Sequence, residues 1–189
     1  MRALEEKILL EGQVLPGEIL KVGSFLNQQL DVAFLSLCGR EIARLFAADG
    51  VTKVMTIEAS GIPLATLAAQ ALGVPALIVK KHASANQSKD VYSARIYSYT
   101  HRTEYTASVA REYLHPTDRV LIVDDFLACG NALRGLREIV REAGAALAGC
   151  AVAIEKAYQS GGDDLRAEGV RVEALARVAS MTDDSLTFC

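Results

Sequence analysis

The chain has 189 residues, of which 51% are hydrophobic, and a formal charge of −3. Its length suits one domain that buries roughly 70% of the unfolded surface, and with no long polar tract the composition excludes a disordered chain. No apolar run approaches the ~20 residues that a bilayer span needs, and Met1 to Glu11 lacks a signal-peptide core, so a cytoplasmic protein is expected.

Residues 2–11 read as a short amphipathic helix with Leu4, Ile8 and Leu9 on its buried side. Gly12 to Gln29 is less regular, with Pro16, Gly17 and Gly23 among scattered apolar residues, and reads as a segment that covers the core without entering it. Asp31 is placed to cap a helix whose apolar face is Leu35, Cys38, Ile42, Leu45 and Phe46, ended by Gly50. Lys53 to Glu58 is a first core strand. Ala59-Ser60-Gly61 then turns into an alanine-rich helix from Pro63 to Leu72, with proline in its first turn and Gly73 at its end. Ala76 to Val79 is a second strand, and strand–helix–strand order requires a parallel pair with a right-handed crossover. Val91 to Tyr97 and Thr103 to Val109 suit a hairpin. A strand over 120–124 follows, then a helix over 131–143, a strand from Leu147 to Ile154, a short helix over 160–169 and a last strand from Val170 to Ala179. The alternation predicts an α/β protein whose chain ends are free to form a lid.

Charge is unevenly spread. Lys80, Lys81, Lys89, Arg95 and Arg102 face one acid, Asp90, which leaves −7 for the rest of the chain. Such a local field, more than the total, recruits an anionic ligand. The four cysteines (Cys38, Cys129, Cys150, Cys189) are widely spaced, without metal-ligand pairs, and read as free thiols.

One stretch organises the rest: Val120-Leu121-Ile122-Val123-Asp124-Asp125-Phe126-Leu127-Ala128-Cys129-Gly130-Asn131-Ala132. Four apolar residues make a buried strand. Two carboxylates sit where it is expected to end, and a turn of small residues around Gly130 enters the helix that carries Leu133, Leu136, Ile139 and Val140. Ligands of open α/β sheets bind beyond the carboxyl ends of the strands. A helix N-terminus entered through small residues aims amide N–H groups at an anion, ideally a phosphate. A bare Asp-Asp is more often a solvated strand end; here the order of strand, acids, turn and helix points to a ribose-phosphate site.

This segment resembles the phosphoribosyl-pyrophosphate (PRPP) motif of type I phosphoribosyltransferases. Many members carry Thr-Gly in the turn and Thr at its end. Here it reads Ala128-Cys129-Gly130-Asn131-Ala132, without hydroxyl donors, as in the bacterial xanthine phosphoribosyltransferases. The likeness extends to Ile19-Leu20, Ser24-Phe25-Leu26-Asn27 and Ile154-Glu155-Lys156. It implies the type I phosphoribosyltransferase fold as one domain over 1–189: a mainly parallel sheet flanked by helices, a small hood from about 1–30 and 156–189, and a mobile hairpin loop. It also implies purine salvage, in which the 5-phosphoribosyl group of PRPP is transferred to xanthine.

On that resemblance Asp124 and Asp125 are the catalytic acids, holding the ribose hydroxyls and favouring positive charge at the ribose carbon. Ala128, Cys129, Gly130, Asn131 and Ala132 bind the 5′-phosphate through backbone N–H groups. Ser60, Gly61 and Lys81 bind pyrophosphate, although the turn after Glu58 taken alone is as well read as structural, and Lys80-Lys81-His82 taken alone as a solvated basic run. Mg2+ is expected to be held mainly by substrate oxygens and waters, with no protein metal cage. Arg95, Tyr97, Ser98 and Tyr99 match the mobile catalytic loop, whose closure excludes water. Lys156 donates to the purine 6-oxygen or to N7; Leu20 (backbone) and Asn27 (amide) complete the xanthine pocket. Discrimination falls at position 2, an oxygen in xanthine, an amino group in guanine and neither in hypoxanthine, with which a donor built for the oxygen is left unpaired at a cost of about 1–3 kcal/mol. Asn27 can turn its amide either way, which leaves xanthine against guanine open. The resemblance implies a homodimer, with neither membrane nor nucleic acid as partner.

Other readings compete. A guanine/hypoxanthine or adenine phosphoribosyltransferase differs mainly in the base pocket. A non-catalytic PRPP-sensing regulator would need a DNA-binding domain for which there is no spare length. Residues 89–105 could form an RNA-stacking surface, against which the −3 charge weighs. Cys129 is either a tolerated small residue or a thiol acidified by the helix N-terminus and oxidisable when the site is empty.

Overall fold

Parallel strands need crossovers, and the chain supplies most of them as helices. The structure is a computed structural model that describes residues 1–81, 90–98 and 103–189. In chain order the elements are α1 (Arg2–Glu11), β1 (Gln13–Leu15), β2 (Ile19–Lys21), α2 (Val32–Leu45), β3 (Lys53–Ile57), α3 (Ile62–Leu72), β4 (Ala76–Val79), β5 (Val91–Ser98) and β6 (Thr103–Ala110). They continue with β7 (Arg119–Leu127), α4 (Asn131–Glu142), β8 (Ala146–Lys156), α5 (Gly161–Ala167), β9 (Val172–Met181) and β10 (Leu186–Phe188).

Six strands form the central sheet in the order β4-β3-β7-β8-β9-β10, parallel throughout except for β10, which runs antiparallel to β9. The chain moves outward from β3 to β4, then returns to the other side of β3 to lay down β7. That reversal creates a topological switch point, where strand carboxyl ends leave a crevice. Pairing between β3 and β7 stops at Met55–Ile122, although both strands run on. Among the described residues, β8 alone accompanies β7 beyond Ile122.

Strand alternation sets the two cores. Leu121 and Val123 of β7 face Leu35, Cys38 and Ile42 of α2 and Leu64 and Ala68 of α3. Val120 and Ile122 face Leu133, Leu136 and Ile139 of α4 and the hairpin residues Ile96 and Ala107. Each Leu or Ile side chain fully buried in this way contributes about 1.5–3 kcal/mol. Asp31 caps α2 as predicted, its Oδ1 accepting from the Phe34 N–H at 3.0 Å. Strands β5 and β6 pair from Val91–Ala110 to Ser98–Thr103. The hairpin lies on α4, where Gly135 leaves room for Ile96, and touches the end of β4 through reciprocal Lys80–Ser108 backbone bonds of 2.9 Å.

Several predicted features differ. The acid pair lies inside β7, because β8 continues to offer ladder partners (Phe126–Ile154, Leu127–Glu155) past Asp124. Leu9 is 65% exposed, while Leu4 and Ile8 are buried; residue 9 lies a further 100° around the helix. Residues 12–29 enter the core: a π-helical turn over Gly23–Asn27 drives Phe25 and Leu26 into it, and so short an irregular turn has no periodicity to announce it. The strand predicted over 170–179 starts at Val172, and β10 was not foreseen. His82, Lys89, Tyr99 and Arg102 lie outside the described residues. Among the described residues no helix is long and apolar enough to cross a membrane.

Candidate active site

Three residues, Ala128-Cys129-Gly130, join β7 to α4. Gly130 has φ 80°, a left-handed conformation that glycine adopts without strain. Among the described residues no acceptor takes the amide N–H of Ala128, Cys129, Gly130, Asn131 or Ala132. These are donors of the kind a helix N-terminus leaves unpaired. Together with Lys81, Tyr97, Tyr105 and Phe126 they line a cleft of about 250 Å³. The turn is braced from behind. Arg134 Nη1 donates to the Cys129 carbonyl at 2.7 Å, and Gly161 packs beneath. A Cβ at Gly161 would run into the Ala128 carbonyl oxygen and lie 2.5 Å from the Cys129 carbonyl carbon and 2.6 Å from the Gly130 nitrogen. Asn131 Nδ2 donates to the Tyr97 carbonyl at 3.1 Å, tying the start of α4 to the hairpin.

Asp124 and Asp125 are each 6% exposed. Successive strand residues point to opposite faces, so the pair straddles the crevice. Asp124 feels Lys81 and in turn raises the Tyr105 pKa, an effect second to burial. Asp125 meets the other side: its Oδ1 accepts from Ser60 Oγ and the Phe126 N–H, and its Oδ2 from Asn27 Nδ2, each at 3.0 Å. The Asp125 N–H donates to Asp124 Oδ1 at 3.0 Å. Burial first, and the charge of Asp125 second, hold the Asp124 carboxyl well above its ordinary 3.8. Gly61 lets the turn after β3 lie against this acid: a Cβ there would strike Thr56 Oγ1 and sit 2.5 Å from Asp124 Oδ1.

Glu58 organises the neighbouring basic residues. Its carboxylate accepts from the Lys81 N–H at 2.7 Å and from Lys80 Nζ at 3.1 Å. Burial alone would raise its pKa; those two bonds hold it below 4.5. Lys80 is thereby paired, while the Lys81 ammonium lies 5.6 Å from the Tyr105 ring centroid on the cleft wall.

Lys156 ends β8, and its Nζ donates at 2.6 Å to the carbonyl of Glu18, which is at the tip of the β1–β2 hairpin with φ 59°. Gln159 Nε2 donates to Glu18 Oε2 at 3.1 Å, and its Oε1 accepts a weak bond from Cys129 Sγ at 3.5 Å. Burial lowers the Lys156 pKa below 10.5 despite the opposing influence of Glu18. Next to it, Glu155 is 1% exposed and held by Arg166 through two 2.7 Å bonds and by Arg177 Nε at 3.0 Å. Leu20 and Asn27 share a second hollow of about 670 Å³.

The structure therefore brings Ser60 and Asn27 to the acid pair and places Lys81 and Tyr97 around the amide turn. Lys156 is linked through Glu18 to the hairpin that carries Leu20. Arg95 is exposed on β5, and the Ser98 backbone pairs with Thr103. Sequence reasoning missed Glu18, Arg134, Gln159 and Gly161. The one available signal was the Gly161-Gly162 doublet, a poor helix former at a helix start that invites a packing explanation.

The fold and its site define a type I phosphoribosyltransferase. A phosphoribosyl transferase domain matches residues 29–172. The adenine phosphoribosyltransferase of Giardia lamblia complexed with 9-deazaadenine superposes with a TM-score of 0.79 at 23% identity, over 92% of this chain and 97% of that one. The Trypanosoma brucei adenine enzyme gives 0.76 at 16% identity, over 92% and 79%. At such identities the likeness is one of fold. Xanthine phosphoribosyltransferases of Heliobacterium modesticaldum, Pseudomonas entomophila and Bacillus cytotoxicus are 48%, 47% and 46% identical across 100% of this chain and 100%, 99% and 95% of their own lengths. The chain belongs to the xanthine phosphoribosyltransferase family.

Proposed function

We infer that this protein is a purine-salvage pentosyltransferase that moves the 5-phosphoribosyl group of PRPP onto xanthine, forming xanthosine 5′-monophosphate (XMP) and pyrophosphate. The observation that carries this reading is the 46–48% identity to xanthine phosphoribosyltransferases along the whole chain. The unpaired amides beside two buried acids fit it. The amides of 128–132 hold the 5′-phosphate. As the bond from the ribose carbon to pyrophosphate breaks, its electron pair leaves with pyrophosphate, and Asp124 and Asp125 offset the positive charge on that carbon while accepting from the ribose hydroxyls. A purine nitrogen then forms the new bond and loses its proton. Ser60, Gly61 and Lys81 face the leaving pyrophosphate, and Tyr97 shields the cleft. Lys156 donates to the 6-oxygen or N7 of the base, and Leu20 and Asn27 contact its other edge.

Beside the cleft, Glu58 and Asp125 already take two or more protein donors each. Mg2+ is then held mainly by substrate oxygens and waters, and when bound neutralises charge on pyrophosphate. We propose one functional unit, cytoplasmic, whose hood comes from about 1–30 and 156–189, with β9 and β10 of the latter stretch also completing the central sheet. We also propose a homodimer: Leu30, Val32 and Leu37 are 39%, 61% and 48% exposed, and a second copy would remove such side chains from water. The test is incubation with PRPP, Mg2+ and each of xanthine, guanine, hypoxanthine and adenine. XMP and pyrophosphate should form fastest; guanine outpacing xanthine would move the chain to another base, and no nucleotide at all would refute the activity.

A further inference from the structure

We propose that Arg134 is a positioning residue of the amide turn: by drawing two successive carbonyls to itself it holds the N–H groups of Gly130 and Asn131 open to the 5′-phosphate. This rests on the reading above, in which the turn binds that phosphate. In a trans peptide the C=O and the N–H share one plane and point opposite ways, so whatever holds a carbonyl also aims the next residue's amide. Arg134 Nη1 donates to the Cys129 carbonyl at 2.7 Å, and the Arg134 backbone N–H donates to the Gly130 carbonyl at 2.9 Å. The amides of those two peptides belong to Gly130 and Asn131. They point away from Arg134, and both residues line the cleft.

The bond to Gly130 is an ordinary helix bond that any residue but proline makes at 134. The bond to Cys129 depends on the side chain. Glycine adopts either sign of φ, so Gly130, at φ 80°, does not by itself stop the Cys129–Gly130 peptide from turning over. Turned over, that peptide sets a carbonyl oxygen against the phosphate in place of an N–H. A charged donor on the carbonyl also polarises the peptide and strengthens the N–H at its other end. The guanidinium is itself anchored: Nη2 donates to Asp164 Oδ2 at 3.1 Å, and Nε lies 3.6 Å from Glu168 Oε1. The helix that floors the turn therefore also steadies the arginine. One turn into α4 a cation works against the helix dipole, so helix stability alone does not account for an arginine there.

Arg134→Met removes the donor and keeps an apolar stem. kcat/KM for PRPP should fall about 10- to 100-fold, with KM for xanthine at saturating PRPP little changed. Arg137→Met breaks the other α4 ion pair to Glu168 and should leave PRPP kinetics as in wild type. The Gly130 amide gives a direct readout. Cys-Gly occurs twice in the chain, at Cys38-Gly39 and Cys129-Gly130. Labelling with ¹³C-carbonyl cysteine and ¹⁵N glycine therefore picks out two amide signals, and Gly39, inside α2, serves as the reference. Ribose 5-phosphate should move the wild-type Gly130 signal downfield, and Arg134→Met should lose most of that shift. Arg134→Lys keeps the charge but replaces the planar fork with a compact donor. It should move both readouts the same way by less, which decides the matter if the methionine variant does not fold. A Gly130 shift undiminished in the Arg134 variants, or an equal loss of PRPP use in Arg137→Met, would overturn the proposal. A wild-type Gly130 signal that ribose 5-phosphate leaves in place is a different result, which refutes the phosphate reading of the turn.

Discussion

Substituting Gly161 by alanine pushes one methyl group into the floor of the amide turn. The three nearest atoms belong to the backbone of Ala128, Cys129 and Gly130, so no side-chain rotation relieves the contact. The Gly130 nitrogen, 2.6 Å from the added carbon, has to withdraw by about 0.8 Å to reach the 3.4 Å of ordinary contact. Hydrogen bonds to a phosphate oxygen tolerate only about 2.7–3.2 Å, and a misplacement of about 1 Å at a site costs roughly 100-fold in rate. Overpacking of this kind costs about 1–3 kcal/mol, or roughly 2–4 °C of Tm per kcal/mol in a chain this long. Initial rates with PRPP and xanthine varied in turn, together with thermal unfolding, separate the two effects. We expect kcat/KM for PRPP to fall roughly 100-fold, with KM for xanthine little changed and Tm a few degrees lower. A lower Tm with unaltered PRPP kinetics would mean that the packing is right and the phosphate site wrong. An unaltered Tm and unaltered kinetics would refute both.

Lys156→Ala removes the donor assigned to the purine and should raise KM for xanthine roughly 10- to 100-fold while leaving KM for PRPP nearly unchanged; equal losses would contradict the assignment. Glu155→Gln tests the buried ion cluster. The folded-state pKa of Glu155 lies below 4.5 because Arg166 and Arg177 outweigh burial, so its stabilisation is complete above 4.5 and is lost as pH falls through that depressed value. The variant should be less stable at neutral pH by about 1–3 kcal/mol, discounted because the arginines are 31% and 41% exposed. Its Tm should also fall less steeply than wild type below pH 4.5; parallel Tm-against-pH curves would exclude Glu155 as the acid-labile group.

What the residues by themselves determined was local. Val120 to Val123 read as a buried strand, Asp31 could cap a helix, Gly73 could end one, and a small-residue turn before Leu133 could offer bare amides. Each of these depends on neighbours within a turn or two, where periodicity and φ preference carry the information. The acids at 124 and 125 were legible as a pair, but their separation to opposite faces and their burial followed from β8 extending the ladder past them.

The partners of the site were decided only by tertiary structure. Asn27 and Asp125 are 98 residues apart, and Lys156 and Glu18 are 138 apart; nothing in either local pattern specifies the other. The Asn27 side chain is the clearest case: it meets Asp125 only when the turn over Gly23–Asn27 docks against β7. Gly161 likewise gains its significance only when α5 comes to rest beneath the turn after β7. Hydrophobic periodicity tells an element which face to bury, and the packing of whole elements against one another then determines which side chains meet.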